Sequence, residues 1–314
     1  MLKFAIVGAG VMGTNHARIA RSVPGVQVAY VVDPDRDRAE RVAAGCGAQA
    51  TTDLADVLGR VDCAVVASPS SLHEQHGLAL LGHGTHLLIE KPIATSREEA
   101  QRLVDAAADR GVVLQVGHVE RFNPAVLELD RLRDGIVHID TARISPYSNR
   151  VEVGVVLDLM IHDLDIVLAL AGGEPTAVSA IAQRPRSATE DLVSAIVEFD
   201  NGVSASLTAS RIGQNKIRTL AITREKDFVS VDLLRQDVTI HRVDHSEYLS
   251  DEGTRYRQTG VVELPFLENR GEPLYLELSH FAAAVRDGTE PRVTGRDGMR
   301  ALDLAERVRA AAGL

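Results

Sequence analysis

The sequence predicts an α/β protein in two parts: a doubly wound parallel sheet, then an α+β region with an open, mostly antiparallel sheet. Three observations lead there. Up to residue 116, short and almost wholly apolar runs alternate with helical patterns. A Gly-rich turn sits between the first of those runs and the first helical pattern. After Gly117 the runs lengthen and alternate apolar with polar residues, and Asp200-Asn201-Gly202 supplies a hairpin turn.

Taken in order, residues 4–7 are a strand candidate, followed by the Gly-rich turn and a helix to about residue 22. Strands at 27–32, 63–67, 86–89 and 112–116 interleave with helices at 36–44, 72–81 and 97–110. That spacing implies right-handed crossovers and parallel pairing, and the apolar strands fit helices on both faces. A helix at 124–133 then precedes longer strands at 136–145, 192–199, 203–209, 217–223 and 228–233, with a second turn at 224–227. A helix at 156–171 interrupts them and ends on Gly172-Gly173, a good C-cap. Helices near 274–286 and 297–311 close the chain. The pattern divides the protein into 1–118 and 119–314, with the last helix expected to pack back on the first domain.

The composition bounds the function. A chain of 314 residues suits two domains, and 45% hydrophobic residues give each a core. A formal net charge of −10 argues against a non-specific nucleic-acid binder, although a local Arg cluster can still hold a small anion. Cys46 and Cys63 form no CxxC pair, so neither a disulfide framework nor a thiolate metal site is expected. His73 and His76 lack the HExxH spacing, and no metal is expected. The N-terminus enters a strand directly and no apolar run reaches ~18 residues, which points to a cytoplasmic protein with no membrane segment.

Gly8-Ala9-Gly10-Val11-Met12-Gly13 follows a strand and opens a helix. Gly8 permits the tight turn, Gly10 lets the backbone approach a pyrophosphate, and Gly13 lets helix and strand pack closely. The pyrophosphate would meet unpaired N–H groups at the helix start, so Val11 and Met12 join the glycines in the cofactor set. Asp33 follows Gly13 by 20 residues at the end of the second strand. A carboxylate there accepts from both ribose hydroxyls and repels a 2′-phosphate, so a Rossmann domain binding NAD rather than NADP is expected. Ser68-Pro69 ends the third strand at the ligand-binding edge, and His73 lies one turn into the next helix. With Glu90, Lys91 and His118 they complete the expected cofactor contacts.

Glu90-Lys91-Pro92 ends the strand at 86–89. Pro92 keeps Lys91 extended and projects it where a nicotinamide would lie. Lys91 can move a proton or hydrogen-bond a substrate hydroxyl as a fixed cation. Asp158, His162 and Asp165 fall at i, i+4 and i+7 amid Leu, Met, Ile and Val, so on an α-helix they share one face. Asp158 can fix the His162 tautomer and raise its basicity, and oxidation of a secondary alcohol needs such a base. Lys91, Asp158 and His162 are therefore the candidate catalytic residues, with Lys91 and His162 both open as the proton acceptor.

Together these motifs resemble the Gfo/Idh/MocA family, the glucose–fructose oxidoreductases and inositol dehydrogenases. The carriers are the Gly8–Gly13 loop, the Ser68-Pro69 turn, Glu90-Lys91-Pro92 and the Asp158-x-x-x-His162 spacing, with Gly135-Ile136, Arg143 and Pro146 in support. The resemblance implies a Rossmann domain, an open-sheet second domain and homo-dimers or homo-tetramers formed through the sheet face. It implies that Lys91 and His162 work at the reacting hydroxyl, near Asp158. Ser68 and Ser70 depart from the Thr and Asn common in the family.

Val116–Pro124 and Leu157–Asp163 are similar, more narrowly, to the UDP-N-acetylglucosamine 3-dehydrogenase branch. That implies NAD-dependent oxidation of the sugar 3-hydroxyl to a ketone, which a PLP aminotransferase then consumes on the way to lipid A or surface glycans. His118 and Glu120 are then substrate contacts or bridges between domains, and Arg121 a buried structural cation. A nucleotide sugar carries a diphosphate, for which Arg143, Arg150, Arg211, Lys216 and Arg218 are candidates. The alternatives are an inositol or free-sugar dehydrogenase of the same family, or a catalytically silent NAD-binding regulator.

Overall fold

The computed structural model describes every residue except 149–152, 243–245, 251–252, 254 and 259. The chain divides into two compact units, Met1–Phe122 with Gly271–Asp303, and Asn123–Arg270 with Leu304–Leu314.

The first unit holds β1 (Leu2–Val7), α1 (Val11–Ala20), β2 (Val26–Val32), α2 (Arg36–Cys46), β3 (Gln49–Thr51), β4 (Cys63–Val66), α3 (His73–Gly82), β5 (His86–Glu90), α4 (Arg97–Arg110) and β6 (Leu114–Gly117). Its six strands run in the order β3-β2-β1-β4-β5-β6, all parallel. β1 and β4 are buried along almost their whole length because helices cover both faces. The chain order reverses beside β1, the switch point where doubly wound sheets bind ligands. Helix ends follow the side chains available. Asp35 accepts from the Arg38 N–H to start α2, Ser96 accepts from the Glu99 N–H to start α4, and Gly47 and Gly111 end them in the left-handed region.

The second unit begins with α5 (Pro124–Glu128), a short helix that passes into a 3₁₀ turn, Leu129–Leu132. The single helix expected at 124–133 is thus two pieces. There follow β7 (Ile136–Pro146), α6 (Ile161–Ala171), β8 (Pro175–Gln183), β9 (Leu192–Phe199), β10 (Ser204–Gly213), β11 (Ile217–Arg224), β12 (Asp227–Asp232), β13 (Asp237–Arg242), β14 (Ser246–Leu249), β15 (Arg255–Gln258) and β16 (Val261–Glu263). Eight of these strands form one sheet, β16-β13-β12-β11-β7-β10-β9-β8, antiparallel throughout except for β7 with β10. β14 and β15 pair separately. Alternation sends Ile139, Thr141 and Arg143 of β7 inward, and α6 packs on β7 and β10. The opposite face carries small and polar side chains with exposed Ile181 and Ile196.

α7 (Pro273–Asp287) belongs to the first unit, and α8 (Gly295–Ala311) runs through the division. The sequence pattern places a single boundary near residue 118. The structure instead returns 271–303 to the first unit, because α7 carries an apolar face. Leu274, Leu278, Phe281 and Ala282 join Phe4, Ile6, Val28 and Val65 in one core, with Phe281 edge-on to Phe4 at 5.8 Å.

Candidate active-site residues in the two units

The Gly-rich loop is shaped by contacts that no side chain could share. Gly8 has φ +97°, and a Cβ there would stand 2.6 Å from the Ala67 carbonyl oxygen. A Cβ on Gly13 would lie 1.7 Å from the Gly8 oxygen. Gly10 is different, because a Cβ there meets no protein atom within 4 Å. It would instead fill the open space before the start of α1, where the N-cap offers no side chain and the first turn no acidic residue. Bare N–H groups facing open space fit a pyrophosphate. Asp33, buried at the end of β2, accepts from the Ala9 N–H at 2.7 Å and from the Asp35 N–H at 2.9 Å. The helix cap is Asp35, so Asp33 is free of that duty and braces the Gly-rich loop instead.

The turns that end β4 and β5 are tied together. His73, expected as a cofactor contact, is 1% exposed. Its Nε2 faces the Ser68 carbonyl and its Nδ1 the Pro92 carbonyl, each at 2.9 Å. It frames these turns rather than facing a ligand. Burial pushes its pKa down, against the pull of those carbonyls. The Ser68 hydroxyl meets His76 Nδ1 at 3.0 Å. Lys91 is half-buried and joined to Pro92 by a cis peptide.

Beneath Lys91 lies a buried polar cluster that the motifs did not reveal. His16 Nε2 meets Glu90 Oε1 at 2.6 Å, and the Lys91 N–H donates to Glu90 Oε2 at 3.3 Å. Burial works to raise the Glu90 pKa, but the His16 hydrogen bond and the charges of His16 and Lys91 bring it below its ordinary value. Glu277 of α7 is fully buried, and neither carboxyl oxygen has a hydrogen-bond partner among the described residues. Burial first, then the Glu90 charge, raise its pKa well above its ordinary value. His118 is fully buried too. Desolvation, then the charges of Arg121 and Lys91, push it down to about 3. Glu120 and Arg121 are buried in the same unit, in the 3₁₀ turn Val119–Phe122. The signal for His16 was its place on α1, one turn after Gly13; Glu277 gave none.

In the second unit, Asp158 and His162 are both half-buried. The helix expected at 156–171 opens as a π-turn, Val156–Met160, before α6 begins. The 3.6-residue spacing that put Asp158, His162 and Asp165 on one face therefore holds only beyond Ile161, and Asp165 is 1% exposed.

Two basic residues expected at a diphosphate belong to the frame. Arg143, 1% exposed, forks onto Asp163 at 2.9 and 2.6 Å. Arg211, 4% exposed, donates to the Val153 and Glu190 carbonyls and lies 3.7 Å from Asp191. Guanidinium groups buried and engaged in this way are not placed to grip a ligand. Lys216 is exposed, Arg218 on β11 is half-buried, and Arg150 lies outside the described residues. Among the described residues no cluster of three metal-binding side chains forms, and no helix is long and apolar enough to cross a membrane.

Known proteins supply the decisive comparison. Residues 2–118 match the model described as "Oxidoreductase family, NAD-binding Rossmann fold", and 128–227 match the Gfo/Idh/MocA C-terminal domain. The chain belongs to the Gfo/Idh/MocA family. This oxidoreductase's first unit is an NAD-binding Rossmann domain. Among its relatives is a UDP-N-acetylglucosamine 3-dehydrogenase from Acidithiobacillus ferrooxidans, 30% identical over 312 residues, covering 99% of this chain and 97% of the relative. The solved structure of that enzyme superposes with a TM-score of 0.90 over the same shares. A scyllo-inositol 2-dehydrogenase (NAD⁺) from Bacillus subtilis strain 168 is also 30% identical, over 327 residues, covering 96% and 92%. A levoglucosan dehydrogenase, 19% identical with a TM-score of 0.84 over 99% and 97%, shares the fold.

Proposed function

We propose that this family member oxidises the 3-hydroxyl of UDP-N-acetylglucosamine to a ketone. The observation that carries this is the match to the Acidithiobacillus ferrooxidans enzyme, which covers 99% of this chain and 97% of that one. Bound NAD supplies the hydride acceptor. Two electrons and one proton leave the sugar carbon as hydride, the hydroxyl proton goes to Lys91 or His162, and the products are ketone and NADH. Asp158 orients His162 and favours its protonated form. Lys216 and Arg218, with Arg150, remain the candidates to meet the diphosphate. His118 and Glu120, both buried in the first unit, support Lys91. The 3-keto product suits a PLP aminotransferase as the next enzyme, and the open sheet face suits contact with a second copy in the cytoplasm.

The equal identity to the Bacillus subtilis enzyme favours a second reading, an inositol dehydrogenase. NADH formation with UDP-N-acetylglucosamine, scyllo-inositol and myo-inositol separates them, with an aminotransferase added to draw off the ketone. Turnover only with inositols selects the second reading. NAD binding without turnover across nucleotide sugars, free sugars and inositols selects a silent regulator. Lys91→Ala and His162→Ala should each lose turnover and keep NAD binding.

A further inference from the structure

The π-turn Val156–Met160 carries Asp158, and His162 follows it directly. Such widened turns are rare and need something to hold them. The first N–H groups of a helix have no partner within it, and here they are met from outside. Glu190, from the segment before β9, is 5% exposed. Its backbone oxygen accepts from the Val155 N–H at 3.2 Å, and its Oε1 accepts from the Val156 N–H at 3.2 Å.

Residue 154 must be glycine for this to occur. A Cβ there would stand 1.9 to 2.1 Å from three atoms of the Glu190 carboxylate, so the carboxylate occupies the space of a side chain. Glu190 is itself fastened. Arg211 donates to its carbonyl at 3.1 Å and to Val153, and Asp191 holds the Arg186 and Ser187 N–H groups at 2.7 and 2.9 Å. On the far side of the turn, Arg143 holds Asp163.

We propose that Glu190 is a positioning residue: with Gly154 it locks the π-turn and so fixes Asp158 relative to His162. The proposal rests on the reading that those two side chains serve the oxidation. If the lock is lost, the turn relaxes to α-helical spacing. The residues before it then rotate by about 100° against those after it, since each α-helical residue turns that far. A misplacement of that size at a proton-transfer site costs on the order of 100-fold in rate.

The test compares Glu190→Ala, Glu190→Gln and Gly154→Ala as full-length protein, with thermal melts to establish folding. Glu190→Gln keeps an oxygen for the Val156 N–H. We expect kcat to fall about 100-fold in Glu190→Ala and Gly154→Ala, with NAD affinity unchanged, and Glu190→Gln to recover most of the loss. A second readout does not need the substrate. The His162 imidazole resonance, assigned with His162→Asn, should move and change its titration midpoint in Glu190→Ala and stay in place in Glu190→Gln. An unmoved His162 resonance in Glu190→Ala overturns the proposal. So does a Glu190→Gln that falls as far as Glu190→Ala. If the wild type oxidises no sugar or inositol, the functional reading fails while the resonance still tests Glu190. If Glu190→Ala does not fold, Gly154→Ala and Glu190→Gln carry the same comparison.

Discussion

The Gly-rich loop of the first unit and the π-turn of the second are built in opposite ways. The loop is made by backbone, and its three glycines stand where side chains are excluded or where open space is needed. The π-turn is made by side chains from elsewhere, with Glu190, Arg211 and Arg143 lying 20 to 60 residues away in sequence or on other strands. A backbone-built site writes itself into a local motif. A side-chain-built site writes itself only into the fold. The interiors differ in charge as well. The first unit sets Glu90 against His16 beside His118, whose pKa burial pushes down, while the second buries an Arg143–Asp163 ion pair.

Substitutions can break each half of this comparison. The largest effect is expected from Gly13→Ala. Its Cβ has no room against the Gly8 oxygen, and NAD affinity measured by calorimetry should fall by about 1000-fold, roughly 4 kcal/mol. Arg143→Leu leaves Asp163 charged and buried, so denaturant unfolding should show a loss of about 3–5 kcal/mol. An unchanged midpoint would remove the pair from the frame of the second unit.

Gly10→Ala sharpens the contrast, because it meets no protein atom. Stability should stay within about 0.5 kcal/mol while NAD affinity drops by about tenfold or more, roughly 1.4 kcal/mol. A destabilised variant with unchanged NAD binding would contradict the assignment of that space to the cofactor.

A pH slope tests the buried imidazole of the first unit. His118 has a folded pKa of about 3 against an ordinary 6.5, so between those values the unfolded chain binds the extra proton. Its contribution is present above pH 6.5 and is lost as pH falls toward 3, at about 1.4 kcal/mol per unit. Urea midpoints from pH 7 to pH 5 should fall more steeply in wild type than in His118→Gln. Parallel slopes would mean that His118 is not held neutral.

How much the sequence revealed follows the same division. Five of the six strands of the parallel sheet were legible because they are continuous apolar runs set by helices at regular spacing, whereas β3, Gln-Ala-Thr, is too short and polar to show. β9 to β12 were legible through alternation and two tight turns. β8 was not, because as an edge strand of Thr, Ala and Ser it buries neither face fully. β13 has only two buried apolar residues, Val238 and Ile240, too short an alternation to read as a strand. α7 read correctly as a helix, but its return to the first core depends on contacts such as Phe281 with Phe4, 277 residues apart. At the sites, Gly8, Gly10, Gly13 and Asp33 were named by spacing. His73, Arg143 and Arg211 were assigned to ligands from their chemistry alone, and burial with backbone or carboxylate partners gives them to the frame. Glu190 and Gly154 carry no local signal, because neither has a meaning until the fold brings them together.

The central claim is an NAD-dependent oxidation of UDP-N-acetylglucosamine. Its most direct test is NADH formation by purified protein supplied with NAD and that nucleotide sugar, with an aminotransferase present to remove the ketone. The expected result is turnover that needs the UDP group and yields a 3-amino sugar. Turnover with inositols and none with the nucleotide sugar would contradict it.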